Sequence, residues 1–433
     1  MFKAIVRNII PHAVYEWLHD MKGVYYVLTA KKMQEKALKR LKGKERLRCV
    51  FFALFDEVWK YDGVYRLMSS NPRFEPIILV CPVVNYGKDN MLNRMDKCYK
   101  YFKSKGYNVI KSYNPETDEY IDVYKELAPD LIFYTNPYEG LIDMRYYIDK
   151  FRDVLTVYVP YFFGESVNYK VAYNNLFSNL VWRKYVETVN HRSFAIKYAD
   201  NKGVNTCVVG YPGIEALIDK GYVASYKDWK LGNNVERKRI IWAPHHTLEA
   251  VGTCHYSCFL MYCDFMIKMA EKYSDKVQIV FKPHPLLRNK LNEIWGIEKT
   301  TLYYSKWEEM PNTALKEGDY EDLFLTSDAM IHDSGSFLIE YLYTNKPVMR
   351  TLNDIPLEKM YNPFALECLN HYYFANNEND IEIFIQNVIN GVDSLKEQRT
   401  KFVNEVLMPK GSPSQNIIDD ILDSIDNQIL YRN

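Results

Sequence analysis

The chain carries no excess of charge: lysine plus arginine and aspartate plus glutamate both number 55, for a formal net charge of zero. A global electrostatic case for nucleic-acid binding is thereby absent. No uninterrupted apolar run is long enough to span a bilayer. The N-terminus lacks the apolar core and small-residue cleavage site of a secretory signal. The 8 cysteines are scattered, and no pair of CxxC motifs marks a zinc site. Cys254 and Cys258 would share a helix face beside His255, an arrangement better read as reduced thiols than as metal ligands. No internal repeat or low-complexity tract stands out. These absences point to a reducing, cytoplasmic setting.

What is present is the composition of a globular protein with real cores, 48% hydrophobic and 25% charged. Its 433 residues exceed one ordinary domain, so two are expected. Apolar residues recur at helical spacing at Phe2, Ile5, Ile9, Val14 and Trp17, and positive charge concentrates between Lys31 and Arg48. Such a start either docks on an anionic membrane surface or is a solvated helix packed on its own domain. A βα rhythm follows. "RCVFFALF", "PIILVCPVV", "YNVIKSY", "DLIFYTN" and "LTVYVPYF" read as strands. "DEVWKYDGVYRLMSS", with Asp56 as N-cap, and "NLVWRKYVETVNHRSFAIKYADNKG" read as helices. A second series runs through "KRIIWAP", "VQIVFKPHP", "DAMIHDS" and "PVMRTL". Strands alternating with helices predict α/β architecture, two doubly wound parallel sheets with a cleft between them.

Three strand ends concentrate the chemistry, where open α/β sheets hold ligands. The first, "IIWAPHHT", presents Pro244, His245 and His246. Adjacent side chains on an extended segment point opposite ways, so one histidine is expected in the cleft, with His246 slightly favoured. The second is "FKPHP". Its prolines end the strand's ladder and aim Lys282, a phosphate-binding point charge, and His284, a donor or general acid/base, out of the sheet. The third, "HDSGSFLIEY", puts Asp333, Ser334, Gly335 and Ser336 where a helix begins, a setting for anions. Glu340, one turn on, is placed for ribose hydroxyls, or is merely the polar end of a capping box.

In this order, "VGYPGIEAL", "IIWAPHHT", "FKPHP" and "LTSDAMIHDSGSFLIEYLYTNKPV" resemble the C-terminal domain of the CDP-glycerol glycerophosphotransferase family, the teichoic acid polymerases and primases. The resemblance covers about residues 205–350. It implies a GT-B fold of two Rossmann-like domains: a basic N-terminal segment 1–47, an acceptor domain 48–200, a nucleotide-donor domain 201–380, and helices 381–433 that could return to the N-terminal domain. It implies transfer of a polyol phosphate from a CDP-activated donor to a hydroxyl of a glycan or lipid-linked acceptor, releasing CMP, in capsule or teichoic-acid-like polymer synthesis. The family's small-residue turn falls on Gly210, Pro212 and Glu215, and its Ala-Pro strand end on Ala243 and Pro244. Its Lys-x-His-Pro element falls on Lys282, His284 and Pro285. Its Asp-x-Ser-Ser-x3-acid element falls on Asp333, Ser336 and Glu340, with Gly335 replacing the first serine.

Two departures stand out. The family's Thr-Trp-Arg-Asp after Ala-Pro is here His245-His246-Thr247-Leu248. Its Trp-His-Gly-Thr segment, which supplies a candidate base, is replaced by "VYVPYFFGES" without histidine. His245 and His246 are therefore candidates for the base, beside His284 on the donor phosphate. No protein metal site and no cofactor are expected, although Asp328 and Asp333 near a pyrophosphate leave room for magnesium. The location expected is cytoplasmic, with the option of a peripheral position on the inner face of the cell membrane. The alternatives on the same fold are a glycosyltransferase using a nucleotide sugar, a nucleotide-sugar epimerase, and a catalytically silent binding subunit.

Overall fold

A computed structural model describes residues 12–85, 87–234, 236–249 and 255–432. The chain divides into two compact units. The first comprises 1–162, 169–213 and 409–433, and the second 163–168 and 214–408.

The strands of the first unit are β1 (Leu47–Ala53), β2 (Phe74–Val80), β3 (Val109–Lys111), β4 (Tyr113–Asn114), β5 (Glu119–Tyr120), β6 (Leu131–Tyr134), β7 (Leu155–Tyr158), β8 (Arg183–Val186) and β9 (Thr206–Val208). Seven of them form one sheet in the order β3-β2-β1-β6-β7-β8-β9, and β4 pairs antiparallel with β5. The seven run parallel. Both faces of β1 are covered, which is why its sequence is a continuous apolar run. Phe51 joins the core on one face and Phe52 the core on the other, as the two-residue period of a strand requires.

The second unit holds β10 (Lys238–Ala243), β11 (Val277–Phe281), β12 (Thr313–Leu315), β13 (Ala329–His332), β14 (Val348–Thr351) and β15 (Tyr373–Ala375). Their order is β12-β11-β10-β13-β14-β15, all parallel. Each sheet therefore reverses direction beside its first strand, between β1 and β6 and between β10 and β13. Two Rossmann-like sheets in one chain make this a GT-B-like fold.

Several sequence expectations are corrected. The helix expected from Asp56 begins at Asp62. Trp59 and Tyr61 both pack on Phe51 at 5.5 Å between ring centroids, and residues two apart on a helix cannot share a face. The long helix expected around residues 179–203 contains β8. Arg183 and Lys184 resemble a solvated face but are buried, Arg183 against Asp420 at 2.9 Å. The boundary expected at 200 falls at 213, because β9 belongs to the first sheet. The C-terminal helices do not act together. Glu378–Ile389 and Lys396–Phe402 lie in the second unit, and Pro413–Asp426 in the first.

The basic N-terminal segment is no separate element from residue 30 onward. In the helix His12–Leu41, Ala37, Leu38 and Leu41 are core residues. Phe2, Ile5 and Ile9 lie outside the described residues, as do the side chains of Val14 and Trp17 and all of Cys254.

Candidate functional site

The site is built at the carboxyl ends of β10, β11 and β13 in the second unit. Asp333, directly after β13, is buried, and both of its oxygens are committed. One accepts the main-chain N–H of His245 at 2.5 Å and the other that of Cys258 at 2.6 Å. Its carboxylate thus ties the end of β10 to the start of the helix Phe259–Lys272 and is not left for a ligand. Burial raises its pKa to about 6, against the lowering effect of those N–H groups and of Arg350.

The same loop positions His284, whose N–H donates to Pro244 O at 3.0 Å. Three imidazoles gather as a result, with ring centroids 4.0 Å (His246–His284), 4.3 Å (His245–His246) and 4.7 Å (His245–His284) apart. Burial, reinforced by neighbouring cations and by one another, holds them neutral. His284 is lowered to about 3, His246 to about 4, and His245 well below its usual value.

Their hydrogen bonds fix the tautomers of two of them. His245 Nδ1 accepts the main-chain N–H of Thr247 at 3.3 Å, so the Thr247 hydroxyl, 2.9 Å away, donates to the same nitrogen. His284 Nδ1 receives the N–H of Leu286 at 3.1 Å. In both rings Nδ1 is therefore an acceptor and a neutral ring carries its proton on Nε2. His246 Nδ1 has no hydrogen-bond partner.

These histidines also form the group, among the described residues, that could gather a metal ion, with one ring nitrogen of each within 4.8 Å of the others. Two Nδ1 lone pairs are taken, however, and two Nε2 atoms bear hydrogen. Rings so arranged offer N–H donors, which fit an anion.

The other predicted residues form a second grouping. Lys282 is buried and donates to Gly318 O at 2.9 Å, its Nζ 5.8 Å from the rings of Tyr320 and Phe337. Burial, then Lys316, lowers it to about 8. Glu340 is buried too, and its carboxylate accepts the hydroxyl of Tyr320. The helix expected after Ser336 is one α turn, Phe337–Glu340, continued by a 3-10 turn, Tyr341–Thr344. The turn Ser334–Ser336 thus has local N–H groups but little macrodipole behind it. A Cβ at Gly335 would lie 2.6 Å from Glu165 Oε1, so glycine is what admits that carboxylate. Gly210 is placed otherwise than expected. It belongs to the first unit, at φ +90°, and a Cβ there would meet Pro409 at 2.6 Å, so its role is packing.

Sequence reasoning missed Thr247, which orients His245, and Glu165, which packs on Gly335. It also missed Arg350 at the end of β14, paired in register with His332. The signal for Arg350 was present, one arginine inside the apolar strand "PVMRTL".

Residues 168–421, more than half of the chain, match the family described as CDP-glycerol:poly(glycerophosphate) glycerophosphotransferase. The chain belongs to this family. Membership makes it a glycerophosphotransferase-type transferase, with a nucleotide-activated donor and a glycan-type acceptor. No curated protein sequence matches. Among solved structures, a variant of the wall teichoic acid polymerase TagF aligns with TM-score 0.58 and 15% identity, over 96% of this chain and 99% of that one. S. aureus MnaA with UDP aligns at 0.55 and 16%, over 90% and 99%. The UDP-GlcNAc 2-epimerase of Neisseria meningitidis bound to UDP-GlcNAc aligns at 0.52 and 13%, over 87% and 99%. At these identities the likeness speaks for the fold.

Against the family pattern, the segment expected to carry Trp-His-Gly-Thr is held through its main-chain carbonyls by Asn362 in this glycerophosphotransferase. Asn362 N–H donates to Glu165 O and Asn362 Nδ2 to Gly164 O, both at 2.8 Å. Among the described residues no helix is long and apolar enough to cross a membrane.

Proposed function

We propose that the strand ends of the second unit bind the pyrophosphate of a CDP-activated polyol and catalyse attack of an acceptor hydroxyl on its β-phosphorus. A new P–O bond forms to the acceptor, the P–O bond to CMP breaks, and the hydroxyl proton passes to a base. The observation that carries this reading is the pair of imidazoles, His245 and His284, locked with hydrogen on Nε2. Such N–H groups stabilise charge developing on phosphoryl oxygens without reorganising, usually the largest catalytic effect. The Ser334–Ser336 turn adds further donors, and Lys282 with Glu340 suits the nucleoside side. His246, with its open Nδ1, is the proton acceptor in this reading. No step requires a metal, and turnover in a chelator tests that.

The deciding experiment is product analysis with CDP-glycerol and a panel of UDP- and CDP-sugars. The reading expects CMP from CDP-glycerol and at least a 10²-fold loss in His284→Ala, with an intact melting curve. A nucleoside diphosphate from a sugar donor, or near wild-type turnover in that variant, overturns it.

The reading extends to location. Met21, Val24, Tyr25 and Leu28 form an exposed apolar stripe at helical spacing, followed by exposed Lys31, Lys32, Lys36 and Lys39. This pattern suits the inner face of a membrane carrying anionic lipid, where a lipid-linked acceptor would lie. Salt-sensitive sedimentation with anionic liposomes, abolished by Leu28→Glu with Tyr25→Glu, is the expected result. Equal sedimentation of that variant discards the location.

A further inference from the structure

Three arginines are almost wholly buried: Arg183, Arg350 and Arg399. Arg183 meets the carboxylate of Asp420 and Arg399 that of Asp393. Arg350 has no carboxylate within ion-pair distance among the described residues. Its one hydrogen bond runs from Nη1 to Ser334 O at 3.4 Å, and its Nε has no partner. The rings of Tyr361 and Tyr256, at 4.9 and 6.0 Å, offer only a partial counter-charge. A guanidinium does not shed its proton, so a permanent cation is held out of water with donors unused.

Its place gives this meaning. Arg350 stands beside His332, and its Nη1 reaches the first residue of the Ser334–Ser336 turn. Its charge is felt by both His245 and Asp333.

We propose that Arg350 is a phosphate-binding residue of the donor site, its unused N–H groups completing the cradle made by the Ser334–Ser336 turn. This rests on the reading that the site takes a nucleotide-activated phosphate donor. A planar fork matches two phosphoryl oxygens at once, which a lysine cannot do. The buried charge is then a cost of the empty site that a bound anion offsets.

The test uses the full chain, thermal melting and calorimetric titration with inorganic pyrophosphate, CDP-glycerol and cytidine. Arg350→Met should melt no lower than wild type without ligand, because the buried charge removed has no carboxylate in ion-pair contact and only a longer-range attraction to Asp333. It should bind pyrophosphate and CDP-glycerol about 10- to 100-fold more weakly while cytidine is unaffected, and lose the rise in melting temperature that pyrophosphate gives the wild type. A variant that melts several degrees lower yet binds pyrophosphate as before overturns the proposal and leaves Arg350 a structural residue. Should Arg350→Met not fold, Arg350→Lys carries the test: unchanged pyrophosphate affinity overturns the assignment. If the donor is not a CDP compound, wild type ignores CDP-glycerol but still binds pyrophosphate in an Arg350-dependent way, so the two readings fail separately.

Discussion

The two sheets share one strand order over six strands, the first adding β9 at its edge, and use it differently. In the first, the strand ends are closed by a neutral group. Tyr61 donates its hydroxyl to Tyr134 O at 2.9 Å and accepts the N–H of Val159 at 2.7 Å, while Thr135 Oγ1 donates to Phe52 O at 3.0 Å. Burial raises the Tyr61 hydroxyl far above its usual range, so it stays protonated and inert. In the second, the equivalent task falls to Asp333, which satisfies two main-chain N–H groups. Imidazoles then stand over the switch point with N–H donors to spare. The topology supplies a place for a ligand. Whether its polar groups bond to one another or are kept for a guest depends on a few side chains at the strand ends.

The contrast can be broken most directly at Asp333. Asp333→Asn puts an amide N–H₂ against a main-chain N–H, which loosens His245. CMP release should fall about 10²-fold, with about 1–3 kcal/mol of stability lost in urea unfolding. An unchanged rate would make the staple incidental to the chemistry.

The next effect is acid sensitivity. Burial holds the folded pKa of His284 at about 3, against about 6.5 for a free imidazole, so between these limits the unfolded chain binds the extra proton and stability falls as pH falls. At pH 5 this amounts to about 2 kcal/mol. His246, at about 4, acts in the same direction, and Asp333, raised to about 6, opposes them between about 4 and 6. Denaturant titrations at pH 7 and 5 should show a loss that shrinks in His284→Asn. An equal loss in that variant assigns the acid response elsewhere.

The smallest expected effect lies in the first unit. Tyr61→Phe removes two buried bonds and should lower stability by about 1–2 kcal/mol, while CMP release per folded molecule stays at wild-type level. A fall in rate would mean that the first sheet's strand ends take part in turnover.

The legible elements were those buried on both faces. "VQIVF" and "CVFFA" could be nothing but interior parallel strands, and the histidines after them follow from the sheet ends. What stayed hidden depended on partners distant in sequence. Strand β8 was masked because Arg183 is neutralised by Asp420, 237 residues away. Asp333 reads locally as a ligand group, and only the approach of His245 and Cys258 turns it into a staple. Gly335 reads as room for a phosphate, and nothing in the sequence signals that its missing Cβ also admits the Glu165 carboxylate to the same turn. Lys282 and His284, two residues apart, read as one motif but serve different groupings.

The path of the chain has a consequence for synthesis. The helix Pro413–Asp426 contributes Ile417, Ile418, Ile421 and Ile425 to the core formed with β1 and β2, and Asp420 neutralises Arg183. The first unit begins nearest the N-terminus and is completed after the second. On the ribosome its sheet must wait, with an apolar groove open, while some 200 further residues of the other unit (214–408) emerge. A nascent chain stopped at residue 408 should therefore be cut rapidly by protease within 48–213 and resist within 238–389. The reverse pattern would show that the early sheet closes without its last helix.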